Sequence, residues 1–115
     1  IVKQGQHLIS LSSKDFSFIM EENISYIFSI LHKYKVKVHL IQNSAISFSV
    51  CVEDKFGNFQ QLLDELNAKY KTTYNENLTL YTIRHFNEQC VHDILHEKTV
   101  YLQQINRGTM QIVVR

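Results

Sequence analysis

Hydrophobic positions along this chain change period several times, and each change marks an element. The first periodic stretch, about His7 to Ser12, alternates as a strand does and runs into the polar loop Ser13-Lys14-Asp15. From about Phe18 to Tyr34 the spacing lengthens, and Met20, Ile24, Ile27, Phe28 and Leu31 predict an amphipathic helix with one buried stripe. Val36, Val38 and Leu40 then alternate with Lys37, His39 and Ile41. Ile46, Phe48, Val50 and Val52 repeat that alternation beyond the polar turn Gln42-Asn43-Ser44, which predicts a hairpin. The helical period returns at Phe59, Leu62, Leu63, Leu66 and Tyr70, with Gly57-Asn58 as a start signal, and a strand at about Thr72 to Glu76 follows. Residues 1–76 therefore read βαββαβ, an α+β, ferredoxin-like unit with helices on one face of an antiparallel sheet.

Residues 77–115 begin the pattern again. Leu78, Leu80 and Thr82 alternate against Tyr81 and Ile83, and a short helix carries Val91, Ile94 and Leu95. Strands at Thr99 to Ile105 and Thr109 to Arg115 meet at the turn Asn106-Arg107-Gly108. This is βαββ, a second unit cut short, so a strand from upstream or from a partner chain is expected to complete it. No proline and no low-complexity linker separates the halves.

Composition narrows the function classes. With 115 residues, 44% of them hydrophobic and 20% charged, the chain can bury a core. A formal net charge of +1 gives no general field for nucleic acid or anionic lipid. The longest nearly apolar run, Ala45 to Val52, is too short to span a membrane, and Ile1-Val2-Lys3 is no signal peptide. The expected location is the cytoplasm, and a first strand that starts at once without an initiating Met suggests a piece of a longer polypeptide. Cys51 in a strand pattern and Cys90 in a helical one read as reduced thiols.

The stretch Val36 to Glu53 fits VxVxLIxxSxxSxSxxVE and, set in a tandem βαββ order, resembles the C-terminal ACT regulatory region of aspartate kinases. Asn77-Leu78-Thr79-Leu80-Tyr81-Thr82-Ile83-Arg84 resembles the opening strand of that family's second ACT unit. The resemblance covers nearly the whole chain. It implies a noncatalytic region of a kinase that phosphorylates aspartate, with an end-product amino acid bound to the first ACT unit, usually at a dimer interface, as the inhibitor. By position it implies effector contacts at Ser17, Met20, Asn23, Ile24, Val38, His39, Asn43, Ser44 and Ala45. It further implies lysine or threonine as effector, homodimerisation through the ACT units, and a kinase domain elsewhere in the parent chain. Backbone amides at the first helix start, with Ser17, suit a ligand carboxylate, and the strand and turn from Lys37 to Ser44 form the facing wall. Met20, Ile24 and Val38 fit the core stripe equally well. Lysine-sensing members carry acidic residues where this chain has His39 and Ala45. A lysine ammonium would then need Glu21, Glu22 or a neighbouring subunit; otherwise the effector differs or feedback control is lost.

Other constellations are weaker. His92 and His96 stand four apart, with Asp93 between, but a solvated helix face explains them, and neither a metal nor any cofactor is expected. The runs Lys33-Tyr34-Lys35-Val36-Lys37 and Lys69-Tyr70-Lys71 lie where helices end, and cations there complement the helix dipole. An RNA-binding ferredoxin-like module is the alternative. It needs stacking aromatics on the open sheet face, where the third strand instead offers Ser47, Ser49 and Cys51, so no nucleic acid is expected. An acylphosphatase-like hydrolase needs an Arg and Asn anion cradle that the sequence does not display.

Overall fold

The computed structural model describes residues 1–14 and 21–115, in the order β1 (Val2–Ser13), α1 (Glu21–Lys33), β2 (Lys37–Asn43), β3 (Ser47–Glu53), α2 (Phe59–Lys69), β4 (Tyr70–Arg84), α3 (Glu88–Leu95), β5 (Val100–Asn106) and β6 (Thr109–Val114). The expected beginning of the first helix, with Ser17 and Met20, lies outside the described residues. The chain forms two compact units, residues 7–75 and residues 1–6 with 76–115.

In the unit of residues 7–75 the strands lie in the order β2-β3-β1-β4. That is the ferredoxin-like order expected of βαββαβ. Antiparallel pairing sets Ile9 opposite Val50 and Leu11 opposite Phe48. These side chains and Val52 point to one face, where they meet Ile27, Ile30 and Leu31 of α1 and Leu62, Leu63 and Leu66 of α2. Each such side chain contributes about 1.5–3 kcal/mol by leaving water. The other face carries Ser10 and Ser49, their hydroxyls 3.1 Å apart, with Leu8, Leu40 and Cys51 buried.

The helix ends are satisfied locally. Glu21 and Glu22 open α1 and His32 and Lys33 close it, matching its dipole. Lys33 Nζ then reaches Glu65 Oε1 of α2 at 2.8 Å, and the Tyr34 hydroxyl donates to the same oxygen at 3.1 Å. The hydrogen bond from Lys33 holds the Glu65 carboxyl below its ordinary range and raises the Lys33 ammonium in turn. Lys69 lies 4.2 Å above the Tyr26 ring. One lysine of each basic-aromatic run is thus engaged within the unit. At α2 the expected start at Gly57-Asn58 holds, with Gly57 in the left-handed region at φ +74. Yet Asn58 donates its side chain to the Tyr34 carbonyl, and the cap is Asp54, whose carboxylate receives the Asn58 and Phe59 amides at 3.0 and 2.9 Å.

Two expectations change. The separate strands at about 72–76 and 78–83 are one strand, β4, because no Gly or Pro interrupts it, and Asn77 absorbs the irregularity at φ 58. A division at residue 76 also leaves residues 1–6 with the wrong partners. They pack with residues 76–115, where the strand order is β1-β4-β6-β5. The Thr82 amide donates to the Ile1 carbonyl at 2.8 Å, and the Ile1 backbone nitrogen donates to the Thr82 carbonyl at 3.1 Å. The chain's own N-terminal residues are the strand that this half lacks in sequence. α3, capped by the Asn87 side chain on the Cys90 amide at 2.7 Å, covers Met110, Ile112 and Val114 with Val91 and Leu95.

The two hairpins have the same register. In β2 a bulge falls between Val38, opposite Val52, and Leu40, opposite Cys51; in β5 it falls between Val100, opposite Val114, and Leu102, opposite Val113. Val38 and Leu40 therefore point to opposite faces, against the simple alternation read from sequence.

Removing Ile1 to Gln6 is expected to expose the Thr82 amide. Hydrogen exchange should show it losing protection at least a hundredfold, while the amides of Val50 and Leu62 stay protected; unchanged exchange at Thr82 would show that residues 1–6 do not complete this unit.

Candidate functional site

The hairpin of β2 and β3 holds most of the residues that the sequence marks for ligand contact. The bulge makes His39 the extra residue of β2, so its ring is aimed by a local kink instead of by the pleat. Its Nε2 lies 3.2 Å from Glu53 Oε1, and its side chain is only 7% exposed. Glu53 also reaches Lys55 Nζ, 3.7 Å from Oε2, and stands opposite Lys37 across the strands. A carboxylate thus sits beside the imidazole, with the Lys55 ammonium near its other oxygen and Lys37 at the facing position of the neighbouring strand.

Asn43 and Ser44 lie at the far end of the hairpin, about 16 Å from Val38 at the rise of an extended strand. Ser44 closes the turn: its amide donates to the Ser47 carbonyl at 2.9 Å, and its hydroxyl receives the Ser47 amide at 3.1 Å. Ala45 and Ile46 are the two exposed turn residues. On α1, Asn23 donates its side-chain amide to the Tyr70 hydroxyl at 3.1 Å, and Tyr70 begins β4, which β3 and β1 separate from β2. Ile24 and Val38 are half-buried against the core. Within one chain the marked residues among those described therefore occupy three places: the bulge, the hairpin tip and the first turn of α1. Ser17 and Met20 lie outside the described residues.

Sequence reasoning missed Glu53. It sought an acidic group at positions 39 and 45, and failing that at Glu21, Glu22 or a neighbouring subunit, whereas the carboxylate arrives from the neighbouring strand. Counting the pairing back from the two-residue turn finds it, because Ser44 with Ser47 and Gln42 with Ser49 lead within a residue to His39 and Glu53.

The remaining chemistry is spare. Burial pushes the Cys51 thiol up to about 11, so it carries almost no thiolate near neutral pH. His92 and His96 are exposed with rings 6.2 Å apart, and no group of three or more metal-ligating side chains occurs among the described residues. No helix among them is long and apolar enough to cross a membrane.

No protein-family model matches the chain, and no curated protein sequence matches it. Solved structures do. The fold, two ferredoxin-like units in tandem, is similar to that of solved aspartate kinases and of aspartate kinase regulatory domains. A putative C-terminal regulatory domain of aspartate kinase from Porphyromonas gingivalis aligns over 100% of this chain and 84% of its own, with a TM-score of 0.73 and 15% identity. Clostridium acetobutylicum aspartate kinase aligns over 99% of this chain at a TM-score of 0.75 and 15% identity, and E. coli aspartokinase III in complex with lysine and aspartate aligns over 97% at 0.71 and 19%. The chain spans 30% and 28% of those two enzymes.

The thiols provide a test of burial. At pH 8 a maleimide or Ellman's reagent is expected to modify Cys90 promptly and Cys51 at least a hundredfold more slowly, with both reacting in denaturant; equal rates in the folded protein would contradict the environment assigned to Cys51.

Proposed function

We propose that this chain is the regulatory region of an aspartate kinase, a noncatalytic amino-acid-sensing and dimerisation module. The carrying observation is that the whole tandem arrangement, not one unit alone, aligns with aspartate kinase regulatory regions over 97–100% of the chain. The parent enzyme would transfer a phosphoryl group from ATP to the aspartate carboxyl in a separate kinase domain, in the cytoplasm. The RNA-binding alternative is not favoured, since the open face of β3 presents serines and a buried cysteine.

In this reading the effector is lysine or threonine, and the sensing surface is the exposed edge strand β2 with its hairpin tip. A homodimer through that edge would bring the tip of one copy towards the bulge of another, which joins places that a single chain keeps apart. Glu53 supports an ammonium-bearing ligand. Its Oε2, now 3.7 Å from the Lys55 ammonium, is a position that a ligand ammonium would take over. Effector binding would favour one arrangement of the paired sheets and so bias the kinase domain.

The test is a thermal-shift series on the chain with lysine, threonine and methionine, followed by calorimetry and sedimentation velocity. Lysine at a hundredfold excess over its dissociation constant is expected to stabilise the fold by about 2.7 kcal/mol. Glu53→Gln should weaken lysine at least tenfold and leave the melting temperature without ligand nearly unchanged. A shift with threonine that survives Glu53→Gln would reassign the effector. No shift with any of the three, in protein shown to be folded and dimeric, would sink the sensing role and leave dimerisation alone.

A further inference from the structure

The hairpin of the second unit repeats that of the first position by position, with different chemistry. Counted from the bulges, Gln104 stands where Gln42 does and Gln111 where Ser49 does. Asn106 and Thr109 face each other as Ser44 and Ser47 do, and the turn Arg107-Gly108 replaces Ala45-Ile46. Five side chains, Gln104, Asn106, Arg107, Thr109 and Gln111, line an open cavity of about 350 Å³. This lies at the small end of the range for small-molecule sites.

The lining is polar throughout. Three amides, a hydroxyl and a guanidinium supply donors, and neither a carboxylate nor an aliphatic or aromatic wall is among them. Gln111 Nε2 lies 3.5 Å from Thr82 Oγ1, which tethers one amide to β4. Arg107 is exposed and takes part in none of the ion pairs found among the described residues. Its surroundings in sequence are uniformly basic. From residue 98 to 115 the chain has Lys98, Arg107 and Arg115 and no Asp or Glu, so a stretch of charge +3 sits in a chain of net charge +1.

Each property excludes a ligand class. Without a carboxylate the cavity offers an ammonium no counter-charge, which argues against a free amino acid. Without an aromatic or apolar wall it offers a nucleobase nothing to stack on. A ligand bearing several oxygens and negative charge satisfies every donor. We propose that this cavity binds a small polycarboxylate anion, held by the Arg107 guanidinium and oriented by the Gln104, Asn106 and Gln111 amides and the Thr109 hydroxyl. The proposal is independent of the effector reading for the first unit, because it uses residues of the second hairpin alone.

The experiment is a titration of ¹⁵N-labelled protein with citrate, with inorganic phosphate and with lysine as separate arms, reading the side-chain amide signals of Gln104, Asn106 and Gln111. Citrate is expected to shift all three saturably. Arg107→Gln should weaken that response at least tenfold, Arg107→Gly should do the same in a residue at ease with the φ of 55 that Arg107 adopts, and Arg115→Gln should change it less than twofold. The proposal is overturned by linear, unsaturable shifts, by citrate binding that persists in both Arg107 variants, or by saturation with phosphate or lysine but not with citrate. Lysine shifts at residues 38–53 alone would bear on the first unit and leave this result standing on the citrate arm.

Discussion

Strand register is the constraint on which the rest depends. Side chains alternate with a period of two, so a slip of one residue would exchange the helix-facing and helix-free sides of a whole strand. Each hairpin is pinned by a two-residue turn at one end and a one-residue bulge near the other. The bulge turns Val38, half-buried, and Leu40, buried, to opposite sides and leaves His39 beside Glu53. The same device puts Val100 and Leu102 in equivalent places. An imidazole–carboxylate contact at the sheet edge and a core behind it are therefore two results of one backbone irregularity.

What the sequence made legible follows from which signals are local. Ile27 and Leu31 of one stripe and Leu62, Leu63 and Leu66 of the other are local patterns, and over the described residues both helices lie where periodicity puts them, with Ile30 joining the first stripe. The two hairpins were readable for the same reason. The partner strand of the second unit was not, because Ile1 and Thr82 are eighty-one residues apart and nothing in either segment names the other. Periodicity likewise could not show that Asn77 bends a strand without breaking it, or that Asp54 and not Asn58 caps α2. At the candidate site, the resemblance located the hairpin, but it read down one strand and so passed over Glu53, which reaches His39 from across the ladder. Val38 and Ile24 fitted both the ligand wall and the core stripe in sequence; in the structure both are half-buried against the core.

Conserving a backbone while changing its side chains is how the two units diverge. The tip of the first hairpin is small and uncharged at Ala45, with a carboxylate further along at Glu53. The second places a guanidinium at the turn and amides along the strands. Because both turns hold two residues, neither chemistry required an insertion, and the sheet pairing tolerates either set.

Residues 1–6 also impose an order on synthesis. They leave the ribosome ahead of their pairing partners, residues 76–84, which follow only after the whole of the other unit. Residues 7–75 are contiguous and can condense as soon as they emerge. The opening strand, with Ile1 and Val2, must meanwhile wait unpaired through the translation of some seventy residues. Loop closure over that separation is slow compared with forming either hairpin. The nascent chain thus leaves the backbone edge of residues 1–6 unpaired for a defined interval, and chaperone engagement or mispairing between neighbouring nascent chains would concentrate there.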